Sequence, residues 1–400
     1  MSRYKEILIA LIFLCSVGLF YIRGLGINMR VIEVFGLVLI FSHLIFYSIF
    51  SRITTERASR FSLPIIFLLA GVFFSTFTSL RFHGQSIGET LYFQRHIYAI
   101  LFYFLLFYLK PKPQFLINLF LYLAVANSIL YIIQYFLYPT IITDAKVLFQ
   151  RGTVRINLPG TDIRHLAFFL CIDRIFRYHN WKYVIFALLI FAVAILSGYR
   201  SSLALYLIIT AGYLFFVRRL KNRLLLISIF SITVFAGLIV FQSIVLEMKE
   251  SVVRDRSAGS EYIRFKTSKF LLIHRNPNLA TYVFGNGQPG EKSKYGREGV
   301  VIANRYGYYI SDTGIIGFYY RFGVISLFAV LYILIFFIRQ KLTEELRFIK
   351  LYILFQVLLM FNTVIIFDSL SGVVLISALM YMIEYQFNNE TTINKRLTLE

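Results

Sequence analysis

The sequence predicts an all-α polytopic membrane protein with about 12 transmembrane helices and one long extracytoplasmic loop. Three observations lead there. Of its 400 residues, 58% are apolar and only 15% charged, against roughly 45–50% and about 25% in an ordinary globular domain. Mean hydropathy is +0.71. Apolar runs of about 20 residues, the length that crosses roughly 30 Å of hydrocarbon, recur along the whole chain. A water-soluble fold could not hide so much apolar surface behind so few charges, which excludes a soluble enzyme, a disordered chain and a disulfide scaffold. Cys15 and Cys171 both lie inside apolar runs and read as small buried hydrophobes.

The candidate spans lie near 7–22, 31–50, 63–80, 96–109, 114–137, 165–180, 182–197, 201–217, 224–245, 313–338, 350–366 and 372–386. The run 96–109 is short, and 165–180 carries Asp173 and Arg174 near its end. Arg3 and Lys5 precede the first run as in a signal peptide, but no small-x-small cleavage site follows Tyr21-Ile22-Arg23. A retained first helix is therefore expected. With the N-terminus inside, the inner segments carry Arg3/Lys5, Arg52/Arg57/Arg60, Lys110/Lys112 and Arg174/Arg177/Lys182. They continue with Arg218/Arg219/Lys221/Arg223, Arg339/Lys341/Arg347/Lys350 and Lys395/Arg396. Short loops rich in Lys and Arg mark the cytoplasmic side, so both termini are expected there. The chain then divides into nine helices over 1–245, with a medium outer loop at 138–164, and a long extracytoplasmic loop at 246–311. Three further helices over 312–386 and a cytoplasmic tail at 387–400 complete it.

The formal net charge is +21, large for a chain with little aqueous surface. It points to anionic partners: lipid headgroups, phosphates or acidic glycans. Nucleic acid is not expected, because no basic stripe with interleaved aromatics stands free of the membrane. No P-loop, Asp-x-Asp pair, His-Glu-x-x-His or Cys/His cluster occurs, so neither metal nor cofactor is expected. Gly285-Asn286-Gly287-Gln288-Pro289-Gly290 has dinucleotide-like spacing but not the strand–turn–helix context, and reads as a flexible turn.

The informative residues are charges at or near membrane depth. Arg200 stands in Ser197-Gly198-Tyr199-Arg200-Ser201-Ser202, between two apolar runs with almost no loop around it. An arginine at the centre of a membrane helix costs about 2.5–3.5 kcal/mol on insertion scales. The small residues beside Arg200 leave room for an anion, while snorkelling to the interface is the plainer alternative. Arg151, Arg155 and Arg164 crowd the first outer loop. Arginine's planar fork grips phosphate bidentately, which lysine cannot do, although plain attraction to headgroups accounts for the same charges. The long loop holds 11 basic and 6 acidic residues. Within it, 261–274 reads as an amphipathic helix presenting Tyr262, Phe265, Leu272 and Ile273 on one face, with Arg264 turned away. Arg275 and Arg305 are further cations of this loop open to an anionic substrate. Asp312 stands where a helix should start and reads as its N-cap. Arg321 falls well inside an apolar run, where a partner or a water-filled cavity is expected.

Taken together, Ser197-Gly198-Tyr199-Arg200 with Leu203-Ala204, and Arg264 followed by Asn276-Pro277 and Phe284-Gly285-Asn286-Gly287, resemble motifs of the O-antigen polymerase and ligase family. Asp312…Ile316…Arg321-Phe322-Gly323 resembles a third stretch of that family, and the three span about 195–325. The ligase branch has a histidine where this chain has Asp312 and an acid at the place of Arg321, and no histidine follows His274. Repeat-unit polymerase is therefore the better family reading. The resemblance implies a metal-independent glycosyltransferase of the bacterial cytoplasmic (inner) membrane, acting on polyprenyl-diphosphate-linked oligosaccharide on the outer face. It further implies membrane lipids as surroundings, and a chain-length regulator and a flippase as partners. Arg200 and Arg264 would serve the diphosphate and Asp312 the acceptor hydroxyl, with Arg155, Arg164, Arg275, Arg305 and Arg321 binding substrate. A ligase that transfers glycan to a lipid acceptor, a lipid-linked oligosaccharide flippase or anion transporter, and an envelope scaffold are the rivals. A transporter should show internal pseudo-symmetry, which this sequence lacks.

Overall fold

The apolar runs become helices in the computed structural model, which describes residues 3–23, 28–50, 60–150, 153–178, 180–216, 242–257, 262–361 and 366–397, with isolated helical positions between 228 and 239. In chain order the helices are α1 (Arg3–Ser16), α2 (Met29–Phe50), α3 (Ser62–His83), α4 (Ile87–Phe93), α5 (Arg95–Leu109) and α6 (Pro113–Leu137). A hairpin follows, β1 (Val147–Gln150) and β2 (Thr153–Ile156), then α7 (Thr161–Tyr178), α8 (Trp181–Leu196) and α9 (Arg200–Phe216). The second half holds α10 (Gln242–Ser257), α11 (Ile263–Lys269), α12 (Leu279–Phe284), α13 (Lys294–Tyr306), α14 (Ile315–Arg339), α15 (Arg347–Leu359) and α16 (Leu370–Leu397). Five of these, α2, α3, α6, α14 and α16, are long and apolar enough to cross a membrane, and α5, α8 and α9 are shorter apolar helices. The chain is thus an all-α membrane protein with one small hairpin set into its first medium loop. The expected span at 224–245 falls largely outside the described residues. So do Arg151 and the inner-loop cations Arg52, Arg57, Arg218, Arg219, Lys221 and Arg223.

The chain forms two units that interleave in sequence: residues 1–36, 110–257 and 343–355 make the first, and 37–109, 258–342 and 356–400 the second. In the first unit α7 is the central helix, packed between α6 and α8, with its residues buried without a break from Ile163 to Arg174. The loop after α6 is tied down by one buried amide. Gln134 donates to the Thr140 carbonyl at 2.9 Å and accepts from the Ile142 and Thr143 N–H groups at 2.8 and 3.1 Å. The hairpin pairs antiparallel, Val147 opposite Ile156 and Gln150 opposite Thr153, and Ile156 and Leu158 pack with Tyr131, Val193 and Leu196 in an apolar cluster.

In the second unit α3 lies along α14, close enough that a Cβ on Gly71 would stand 2.2 Å from Ser326 Oγ. Small residues of this kind let membrane helices approach. At Gly323 (φ 73°, ψ −177°) the helix of α14 is broken. A break inside a membrane helix strands backbone carbonyls where lipid supplies no donor. Here the Asn286 N–H donates to Tyr320 O at 2.9 Å and the Gly287 N–H to Arg321 O at 2.8 Å. The Asn286 side chain adds a bond to Tyr320 O at 3.0 Å and another to Asn276 Oδ1 at 2.7 Å, and Thr78 Oγ1 donates to Gly285 O. Two glycines permit this approach: a Cβ on Gly285 would lie 2.3 Å from Arg321 O, and one on Gly323 2.2 Å from Val283 O. The stretch 285–290 is therefore no flexible turn. Its glycines serve close backbone contact rather than freedom, a purpose that turn chemistry alone does not reveal. Deeper in this unit Glu384 of α16 accepts from the Arg60 N–H at 3.0 Å and from the Tyr103 hydroxyl at 2.9 Å, so the buried carboxylate is satisfied.

Gly285→Ala and Gly323→Ala should each cost about 2–3 kcal/mol, by prising apart a backbone pair and forcing a positive φ on a residue with a Cβ. Gly212→Ala, at a position with nothing within 4 Å, should be neutral. Thermal unfolding of the detergent-solubilised variants reads the difference.

Candidate functional site

Three of the arginines marked by the sequence lie in the first unit, each placed by a different element. Arg155 sits on β2 opposite Leu148, Arg164 on the first turn of α7, and Arg200 opens α9. The joint between α8 and α9 is a tight turn that needs glycine. Gly198 has φ +66°, and a Cβ there would come within 2.8 Å of Thr153 Cγ2. Thr153 Oγ1 donates to Leu196 O at 2.5 Å and the Arg155 guanidinium to Gly198 O at 2.6 Å, so the hairpin is stitched to the turn that presents Tyr199 and Arg200. The Arg155 guanidinium carbon stands 4.9 Å from the Tyr199 ring centre, and the Tyr199 hydroxyl donates to Asn157 Oδ1 at 2.9 Å. Burial lowers the Arg155 pKa from its ordinary value. Tyr199 and Tyr131 oppose that shift, and the neighbouring charge of Arg200 adds to it.

Arg164 is the most deeply placed of the three, with 4% of its surface exposed. One terminal nitrogen donates to Thr161 Oγ1 at 2.9 Å, and the guanidinium carbon stands 5.1 Å from the Tyr131 ring centre. The other terminal nitrogen, also buried, has no acceptor among the described residues. It borders a cavity of about 10 Å³, lined also by Thr161, His165, Ser197, Tyr199, Ser202 and Tyr206. That is room for about one water molecule. His165 Nδ1 and the Tyr206 hydroxyl share a hydrogen bond of 2.6 Å, and Tyr206 stacks on Phe168 with ring centres 4.0 Å apart. A hydroxyl and an aromatic face contact Arg164 directly, and neither neutralises it. The charge of Asp162 is also felt at Arg164. The arrangement offers guanidinium and hydroxyl donors to an oxyanion in apolar surroundings, where such bonds are strongest.

The remaining marked residues lie in the second unit. Arg264 of α11 is partly buried, its guanidinium 5.8 Å from the Tyr262 ring centre. Arg275 donates to Tyr295 O at 3.2 Å beside the same tyrosine's ring, and Arg305 is exposed at the end of α13 next to Tyr306. Arg321 has the partner its depth requires. Its three nitrogens donate to Gly317 O at 2.9 Å, Gln288 Oε1 at 2.9 Å and the Asp368 carboxylate at 2.6 Å. The pair is buried, with 6% and 8% side-chain exposure.

One local expectation needs correction. Asp312 is not an N-cap: it is exposed on the turn Ile310–Thr313, and Gly314, with φ 53°, occupies the cap position before α14. A left-handed glycine and the short turn ahead of it start the helix two residues later than the acid suggested. On the helix read over 261–274, Phe265 and Ile273 are exposed while Thr267 and Leu271 turn inward, and the helix loosens into a π turn over Phe270–His274.

Sequence reading also missed several polar partners. Asp368, the mate of Arg321, was not singled out at all. His83 stacks on Tyr295 with ring centres 4.0 Å apart and bonds Asn286 Oδ1 at 2.8 Å, while the Tyr295 hydroxyl donates to Tyr320 at 3.0 Å. Burial first, and Tyr320 second, raise the Tyr295 pKa well above the ordinary phenol value, which keeps it a donor. No periodicity announces contacts between residues so far apart in the chain.

Removing a buried charge that lacks a counter-charge costs little, whereas removing one partner of a buried ion pair costs about 3–5 kcal/mol. Arg164→Met should therefore leave the melting temperature unchanged or raised, and Arg321→Met should lower it sharply by stranding Asp368. Thermal unfolding of the two variants side by side measures this. No protein-family model matches the chain, and a search of curated proteins returns no match.

Proposed function

We propose that the chain is a membrane glycosyltransferase that polymerises polyprenyl-diphosphate-linked oligosaccharide repeat units into O-antigen or a related surface polysaccharide. The observation that carries this reading is the buried guanidinium of Arg164, short of an acceptor among the described residues, at a small cavity where the hydroxyls of Thr161, Ser197, Tyr199, Ser202 and Tyr206 meet Ile190, Val193 and Ala194, with Arg155 bonded to the adjoining turn at Gly198. A donor with a diphosphate leaving group needs such a cluster. As the bond between the anomeric carbon and the diphosphate oxygen breaks, both bonding electrons pass to that oxygen. Fixed cationic donors stabilise the charge that develops there. The acceptor sugar's hydroxyl forms the new glycosidic bond to the anomeric carbon and gives up its proton to a carboxylate. Arg321, occupied within the chain, serves to hold α14 rather than to grip substrate.

The reading also proposes twelve spans, both termini cytoplasmic and residues 246–311 outside, supported by the basic character of the short loops. A chain-length regulator and a flippase of the same route are its proposed partners. In a background without Cys15 and Cys171, a cysteine at Ser257 should label from outside and one at Thr343 should not. The reverse result would put the long loop on the wrong side for this chemistry.

The test of function is purified protein incubated with lipid-linked repeat units and watched for a product ladder. A leaving-group clamp acts more in the transition state than in the ground state. Arg200→Lys should then depress turnover at least tenfold while donor binding falls less, and Arg200→Ala should give no polymer at normal membrane insertion. Arg155→Ala/Arg164→Ala should weaken both. A wild-type ladder from Arg200→Ala, or no ladder from the unaltered protein, refutes the assignment.

A further inference from the structure

The end of α7 opposite Arg164 carries a second group of buried cations that the proposed chemistry does not use. Arg164 and Arg174 are ten residues apart, about 15 Å along a helix axis. Near this end Asp173 is fully buried; it is paired with Arg177 one turn on and accepts from the Tyr213 hydroxyl at 2.8 Å. Arg174, next to it and 8% exposed, forms no ion pair among the described residues. The guanidinium carbons of Arg174 and Arg177 stand 5.2 and 5.5 Å from the ring centre of Tyr178, so the two share one aromatic neighbour. Three of their buried nitrogens, one terminal nitrogen of Arg174 and Nε and one terminal nitrogen of Arg177, have no acceptor among the described residues. Arg347 at the start of α15 hydrogen-bonds Tyr213 and is near enough to Arg177 and to Lys350 for the charges to repel. Glu344 meets Arg347 at 3.4 Å. Among the described residues, Arg177 and Arg347 lie close to Asp173 and Glu344, Lys350 lies beside Arg347 and Arg174 beside Arg177's aromatic neighbour, so positive charge outnumbers negative there.

A favourable helix dipole accounts for a cation in the last turn, at about 0.3–1 kcal/mol. It does not account for three buried donors without acceptors, each costing about 1–3 kcal/mol. Such a group is completed by an oxyanion. The depth tells which kind. Tyr178 is 53% exposed and Trp181, the single tryptophan of the chain, 66%. Exposed aromatic side chains of this kind are enriched at headgroup level, and Tyr178 is the ring that both arginines flank.

We infer that this end of α7 is a phosphate-binding site for the headgroup of an anionic phospholipid, gripped by Arg174 and Arg177 with Arg347 and Lys350 at its rim. Basic pockets between membrane helices are suited to headgroups bearing phosphodiesters. This inference stands apart from the proposed glycosyl transfer and survives its failure.

Trp181 provides the readout. The full chain in phosphatidylcholine nanodiscs should show a saturable change in tryptophan emission as cardiolipin or phosphatidylglycerol replaces part of the phosphatidylcholine. Native mass spectrometry should find the anionic lipid retained. Arg174→Gln, which breaks no ion pair, should weaken the response at least tenfold. Arg174→Lys, which keeps the charge and loses the fork, should weaken it several-fold and serves should the first variant not fold. The same change produced by inorganic phosphate alone, and not by lipid, would support the site while moving its ligand to a soluble phosphate. No saturable response from the unaltered protein to either, or an unchanged titration in a folded Arg174 variant, overturns the inference.

Discussion

Hydrocarbon accepts no hydrogen bonds, and that constraint governs where this chain breaks its helices and buries its charges. The break at Gly323 shows how it is met. The carbonyls of Tyr320 and Arg321 would be stranded by the kink, and an extended segment from elsewhere in the same unit brings two N–H groups to them. That segment can approach only because Gly285 carries no side chain, and the kink exists only because Gly323 tolerates φ 73°. Helix α14, the segment 285–290 and the neighbouring helix α3 thereby hold one another, with Thr78 and His83 bonded to Gly285 and Asn286.

The same constraint separates two kinds of buried arginine. Arg321 has every nitrogen engaged, one of them by a carboxylate, and its removal would leave Asp368 charged and alone. Burying such a pair adds little net stability, but it fixes geometry. Arg164 has a hydroxyl and a tyrosine face, and part of its donor capacity is unused among the described residues. A fold under no other demand would replace it with an apolar residue of similar volume. A ligand that brings its own negative charge removes that tension.

Much of the fold was legible because it rests on local properties. Apolar runs of sufficient length give helices, and the helices over 29–50, 62–83, 113–137 and 315–339 fall within a few residues of the spans read from hydropathy. Arg321 was marked by its depth alone, and its partner followed from the cost of leaving it bare. What local reading could not supply was pairing. Asp368 and Gln288 reach Arg321 from 47 and 33 residues away. The hairpin at 147–156 escaped notice because four-residue strands carry too few side chains to show an alternation. The glycine stretch 285–290 was misjudged for a related reason. Glycine marks both a loose turn and a place where two backbones touch, and only the partner distinguishes them.

Helix α7 brings these threads together, because the run 165–180 read as a span proves too charged to cross a membrane unaided. It carries Asp162, Arg164 and His165 in its opening turns and Asp173, Arg174 and Arg177 towards its end, and it is absent from the helices apolar enough to span by themselves. Yet from Ile163 to Arg174 no residue is exposed. The apparent conflict dissolves once its neighbours are counted as its solvent. α6 and α8 cover it, and their own Tyr122, Phe136, Ile185 and Leu188 are exposed on the outside. The charges of α7 then lie at the two ends of an enclosed rod, separated by the apolar stretch Leu166–Ile172. An enclosed helix that is charged at both ends costs more to build than an apolar one, and packing gives no reason for it. The reason must lie in what the ends hold. The orphaned donors occur at those ends, beside hydroxyls and a small cavity at one and beside interfacial aromatics at the other.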